Sequence, residues 1–244
     1  SGIAAHLANA GIPVLLIDIV PPELTEQDEK NGLNADHPKF RNKFSLAGLE
    51  GIKKSKPAAI YSKRFLPLIE IGNFEDDWDR LAECDWIVEV VVERLDIKQQ
   101  VFARVDEVRK PGSIISSNTS GLSIAGMTEG RSEDFRQHFL VTHFFNPVPI
   151  MSLLEIVRPD ACSDETLARV RLYAEQMDKE PIVVRDSPGF ATSRLGVCLG
   201  LEAIRMVEAD VASPEDIDKA LELGYRHPMG PLRHTDLVGL DVRR

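Results

Sequence analysis

Between residues 13 and 118, short runs of β-branched and apolar residues alternate with longer amphipathic stretches, and this alternation is what most restricts the fold. PVLLID (13–18) reads as a buried strand ending in an acid, LIEIG (68–72) as a short strand, and SIISSNTS (113–120) as a strand entering a polar loop. WIVEVVVE (86–93) is the near-continuous apolar run expected of a parallel strand covered on both faces. Helical patterns fill the intervals: polar residues 36–56, the short FEDDWDRLAECD (74–85), and LDIKQQVFARVDEVRK (95–110), which Pro111 and Gly112 end. Strands alternating with helices imply an α/β chain with a Rossmann-type, doubly wound, mostly parallel sheet.

After residue 135 the pattern changes. FLVTHFF (139–145), SLLEIV (152–157) and PIVVRD (181–186) read as three strands, with a helix over 164–179 between the last two. From Pro188 onward there is no strand signal. Residues 189–209 read as a long helix in which Gly196 and Gly200 permit close packing, and Ser213-Pro214 marks another helix start. The expected boundary lies at 186/187, between a sheet domain (1–186) and an all-helical domain (187–244).

A net charge of −10, with no basic stripe, argues against nucleic acid and acidic membranes as partners. Cys84, Cys162 and Cys198 are odd in number and widely spaced, which fits free thiols in a reducing cytoplasm. No stretch is apolar enough to span a bilayer, and the start has no basic leader.

The opening SGIAAHLANAG reads as a helix entered midway and stopped by Gly11. Asp18, ending the strand that follows, is placed to accept both hydroxyls of an adenosine ribose. No Arg follows it to receive a 2′-phosphate, so NAD is expected over NADP. A solvated acid at a loop start is the competing reading. The GxGxxG turn that accompanies such an acid is expected upstream of Ser1, together with the first strand.

Five segments taken in order, SSNTSGLSI (116–124), HFFNPVPIMSLLEIV (143–157), DSPGFATSR (186–194), ASPEDIDKALELGYRHPMGPL (212–232) and DLVGLD (236–241), resemble 3-hydroxyacyl-CoA dehydrogenases of fatty-acid β-oxidation, including the short 3-hydroxybutyryl-CoA enzymes. The resemblance implies reversible oxidation of an L-3-hydroxyacyl-CoA to the 3-ketoacyl-CoA, with the acyl-CoA between an NAD domain and a helical domain that pairs with its twin as a homodimer. It makes His143 the base, since a neutral imidazole near its working pH takes the hydroxyl proton as hydride leaves. Glu155, across the NPVP turn on an antiparallel strand, would hold the ring's tautomer and counter its charge.

By the same resemblance Ser120 hydrogen-bonds the substrate's 3-oxygen, Asn146 lies beside the nicotinamide ribose, and Glu93 and Lys98, a strand-end acid and a helix lysine, meet the same end of NAD. Lys53, Lys54 and Lys56 fit either the phosphates of CoA or a solvated helix face. Ser193 stands where many relatives carry asparagine and is a shorter donor to the substrate. His227 and His234 read as structural; His6, His37 and His138 take no role. The chain is expected to be truncated at both ends relative to the family. Two alternatives stay open: an inactive module that binds acyl-CoA or a subunit, and a related NAD dehydrogenase acting on a polyol acid.

Overall fold

The computed structural model describes residues 1–239, so the last two residues of DLVGLD lie outside the described part. In chain order the elements are α1 (Gly2–Asn9), β1 (Val14–Asp18), α2 (Glu26–Lys30), α3 (Pro38–Arg41), α4 (Lys43–Lys54), β2 (Ile69–Asn73), β3 (Trp86–Glu89), α5 (Leu95–Val108), β4 (Ile114–Ser117), α6 (Ile124–Met127), α7 (Glu133–Gln137), β5 (Phe139–Phe144), β6 (Leu153–Arg158), α8 (Asp164–Gln176), β7 (Glu180–Arg185), α9 (Thr192–Glu208), α10 (Pro214–Gly224) and α11 (Pro231–Val238). They form two compact units, Ser1–Asp186 and Ser187–Arg244.

In the first unit the strands lie in two sheets, β1-β2 and β3-β4-β5-β6-β7. Every pairing is parallel except β5 with β6. The chain between β5 and β6 is too short for a crossover, so the two strands run antiparallel. α1 joins the two sheets: Ala4, Ala5 and Ala8 pack toward Ile52 and Ile69, while Ile3 and Leu7 pack with Ile114, Leu140, Leu154 and Ile156. Its alanines permit the close approach and its larger residues fill the second core. Gly11, at φ +79°, takes the left-handed turn after the helix.

Several expected elements differ in the structure. The helix anticipated over 36–56 is broken at Asn42, whose side-chain oxygen accepts from Asn73 Nδ2 at 2.8 Å; α3 and α4 lie on either side. Residues 78–83 form a 3₁₀ turn rather than an amphipathic helix. The run expected to be a strand over 86–93 pairs only to Glu89, and Val90 and Val92 are exposed. The strand stops there because the Glu89 side chain turns back to accept the Val91 N–H at 2.6 Å, while its carbonyl receives the Asn118 N–H at 2.9 Å. α8 ends at Gln176, short of the expected Lys179, where the chain passes through positive φ at Asp178.

The second unit is α9, α10 and α11. Ser213 caps α10 by accepting from Asp216 N at 3.2 Å. Buried Asp218 does the same for α11, accepting from Leu232 N at 2.8 Å and Arg233 N at 3.3 Å. Gly230 passes so close to Asp218 that a Cβ there would lie 2.3 Å from it. No helix among the described residues is long and apolar enough to cross a membrane.

Candidate active site

The parallel strands β3, β4 and β5 end side by side, Glu89 opposite Ser117 and Ser117 opposite Val141. In open α/β sheets this carboxyl edge is where ligands gather. Two residues past Val141 lies His143, 6% exposed, and directly across the antiparallel ladder lies Glu155, fully buried. The two side chains meet, with His143 Nδ1 3.0 Å from Glu155 Oε2. An ionised carboxylate only accepts, so Nδ1 carries the hydrogen and Nε2 presents its lone pair. That lone pair faces Ser120, whose Oγ donates to it at 3.2 Å. The imidazole is thus held on one side by a buried acid and presented on the other to an exposed hydroxyl. The Phe145 ring packs against it with centroids 4.5 Å apart.

Lys98 and Glu93 sit beside this group. Lys98 is fully buried, its Nζ 3.3 Å from Glu93 Oε2, and Glu93 Oε1 accepts the Ser120 N–H at 3.3 Å and the Thr119 hydroxyl. Glu93 is not the strand-end acid, however. It lies four residues beyond β3 in the connection to α5, and the acid that ends the strand is Glu89. Glu89 takes Lys98 Nζ at 2.7 and 2.9 Å and the Ser117 hydroxyl at 2.6 Å. The sequence reading passed over Glu89. The available signal was a charged residue inside a β-branched run, nine positions before a lysine.

The connection between β5 and β6 carries Asn146, exposed and followed by a cis peptide bond to Pro147. Two residues that the sequence did not single out for the site secure it. Buried Lys179 donates to the carbonyls of Val148 at 2.5 Å and Met151 at 2.6 Å, and burial pushes its ammonium below the ordinary lysine range. The Tyr61 hydroxyl donates to the Pro149 carbonyl at 2.8 Å.

The other candidates are more dispersed. Asp18 ends β1 as an exposed residue, its Oδ1 accepting from Ile19 N at 2.8 Å. Lys53 and Lys54 are exposed on α4 and both pair with Glu50, at 2.7 and 3.5 Å. Ser193 is the second residue of α9, in the second unit. His6 is buried on α1, with Nε2 3.0 Å from the Met177 carbonyl; His37 caps α3, and His138 Nδ1 bonds the Asp134 carbonyl. All three cysteines are free thiols. Among the described residues no cluster of acids, histidines and cysteines is disposed to hold a metal ion.

Residues 1–187 match the family model of the 3-hydroxyacyl-CoA dehydrogenase NAD-binding domain, and residues 189–244 match the model of that family's C-terminal domain. The chain belongs to the 3-hydroxyacyl-CoA dehydrogenase family. It is 44% identical, over 99% of its length, to a probable 3-hydroxyacyl-CoA dehydrogenase of Bacillus subtilis, but spans only 31% of that protein. It is 34% identical to the mitochondrial hydroxyacyl-coenzyme A dehydrogenase of Sus scrofa, over the whole chain and 74% of the relative. The crystal structure of (S)-3-hydroxybutyryl-CoA dehydrogenase from Ralstonia eutropha superposes with a TM-score of 0.76 at 32% identity, covering 99% of this chain and 79% of that one. The Rossmann-type sheet followed by a helical domain, read from strand and helix grammar, is the architecture of this family.

The first unit offers groups of the kind an NAD-binding domain requires. Asp18 presents an exposed carboxylate at a strand end, and Ser120 and Asn146 are exposed beyond the carboxyl ends of β4 and β5. These positions suit a ligand rich in hydroxyls.

Proposed function

We propose that this chain supports NAD-dependent oxidation of an L-3-hydroxyacyl-CoA to the 3-ketoacyl-CoA in fatty-acid β-oxidation or related acyl-CoA metabolism. The observation that carries the reading is the His143 imidazole, oriented by Glu155 at 3.0 Å and open through Nε2 to a hydroxyl at 3.2 Å. A substrate alcohol taking up the position next to Ser120 would share that hydroxyl's contact. His143 then removes the alcohol proton, and Glu155 stabilises the resulting imidazolium without itself taking the proton. Ser120 would steady the 3-oxygen as it becomes a carbonyl. Bound NAD supplies the hydride acceptor. Asp18 would hold its adenosine ribose, and Glu93 and Asn146 its nicotinamide end, with buried Lys98 acting there through its ion pair to Glu93.

In this reading residues 1–186 serve the cofactor and 187–244 serve substrate and dimer formation. Lys53 and Lys54 reach the CoA phosphates only by giving up Glu50. Homodimer formation through the helical unit is supported by exposed Leu195, Leu199, Leu223, Tyr225 and Leu237 on and around α9, α10 and α11. Sedimentation at graded concentrations tests it, and a monomer throughout would refute it. Three free thiols support a cytoplasmic setting.

The decisive experiment follows nicotinamide reduction with 3-hydroxybutyryl-CoA and NAD, beside calorimetric titration of each ligand. Turnover lost in His143→Gln, with acyl-CoA binding retained, supports the assignment. Clean acyl-CoA binding with no heat from NAD and no turnover would overturn it in favour of an inert binding module.

A further inference from the structure

Ser120 is exposed, so packing does not hold its hydroxyl against His143; hydrogen bonds must. Traced inward, those bonds converge on one side chain. We infer that Glu89 is a positioning residue for the site: through Ser117 and Lys98 it fixes the 117–120 turn and, with it, Ser120 against His143. The inference rests on the assignment of His143 as proton acceptor.

Two routes lead from Glu89 to the 117–120 turn, the first holding residues 117–119 and the second reaching Ser120 itself. Along the first, the Ser117 hydroxyl donates to Glu89 Oε2 at 2.6 Å while its oxygen accepts the Thr119 N–H at 3.3 Å. The Glu89 carbonyl takes the Asn118 N–H at 2.9 Å, so three successive residues of the turn are tied to the end of β3. Along the second, Lys98 bridges Glu89 at 2.7 Å and Glu93 at 3.3 Å, and Glu93 in turn accepts the Thr119 hydroxyl and the Ser120 N–H.

Exposure separates the roles of the two acids. The Glu89 side chain is 2% exposed, whereas that of Glu93 is 49% exposed and free to respond. A buried ammonium needs a close anion. With Glu89 neutral, Lys98 would draw Glu93 inward and off the backbone of Ser120. The balance of two carboxylates on one lysine therefore sets where Ser120 stands. If Glu89 merely neutralised Lys98, the Ser117 link would be dispensable.

Glu89→Gln and Ser117→Ala test this, with Ser117→Ala removing one hydroxyl and leaving the ion pair intact. The first readout is the ¹⁵N signal of the His143 ring at fixed pH in labelled protein without cofactor, which reports the Ser120 bond directly. The expected result is an Nε2 signal displaced in both variants. In the assay of the dehydrogenase reaction, kcat falls about tenfold while KM for the acyl-CoA stays within about twofold. Should Glu89→Gln fail to fold, Ser117→Ala decides. An unchanged Nε2 signal in folded Ser117→Ala would overturn the inference. If the wild type shows no turnover, the ring signal still gives the answer, so failure of the dehydrogenase reading is distinguishable from failure of this one.

Discussion

Glu155 and His143 are direct register partners across the β5–β6 ladder, which puts the acid and the imidazole on the same face of the sheet. Facing residues on one side of an antiparallel pair have Cβ atoms only about 5 Å apart. Side chains of this size therefore meet without bending the backbone, and a 3.0 Å contact results. The acid is held by a strand rather than a loop, which fixes the imidazole rigidly.

Glu155→Gln keeps the volume and removes the charge. The amide can donate as well as accept, so the ring loses its enforced tautomer. The expected outcome is a fall in kcat on the order of 10²–10⁴, with a much smaller change in KM, by analogy with loss of the orienting acid in a catalytic triad. Steady-state kinetics on the folded variant check this. A kcat within threefold or so of wild type would contradict the orienting role.

The apolar runs around these two residues raised the question of a partner for each, but it was the resemblance of segment 143–157 to the family that joined them, and the register across the ladder shows the contact. The Ser213 cap was legible from purely local signals, a serine followed by proline and two acids. Glu89 was not. Its run WIVEVVVE carries apolar residues on both sides, and only the hydrogen bond from Val91 N back to the Glu89 side chain reveals that the strand stops at residue 89. Lys179 was hidden in the same way: a helix pattern continues to it, and the positive φ of Asp178 turns it inward instead. What sequence periodicity misses here is the side chain that terminates its own element.

Two glycines in β2 and α4 should respond to alanine with opposite signs. At Gly72 a Cβ would lie 2.3 Å from Asp77 Oδ2 and 2.9 Å from its Cβ, and Asp77 is tied to Asn73 N at 2.9 Å. Gly72→Ala is expected to cost about 1–3 kcal/mol through forced displacement. Gly51 lies inside α4 with nothing within 4 Å of the added methyl. Gly51→Ala is expected to stabilise by roughly 0.5–1 kcal/mol, because the unfolded chain has less freedom to lose. Urea midpoints of the two variants against wild type give the signs.

The buried His6 makes the first unit sensitive to acid. Burial, followed by the nearby Lys179 ammonium, lowers its pKa from 6.5 to about 4, against weaker raising effects from the Met177 carbonyl and Asp178. Below pH 6.5 the unfolded chain takes up this proton before the folded one does, so stability falls as pH drops from 6.5 toward about 4 and then levels off. The linkage amounts to up to about 3 kcal/mol across that window. Above pH 6.5 the imidazole is neutral in both states and contributes no slope. Replacing it by His6→Gln removes this component, leaving any dependence that arises from carboxylates. Denaturation midpoints at matched pH values above and below the window measure the difference. A slope equally steep in His6→Gln and wild type would place the acid sensitivity elsewhere in the unit.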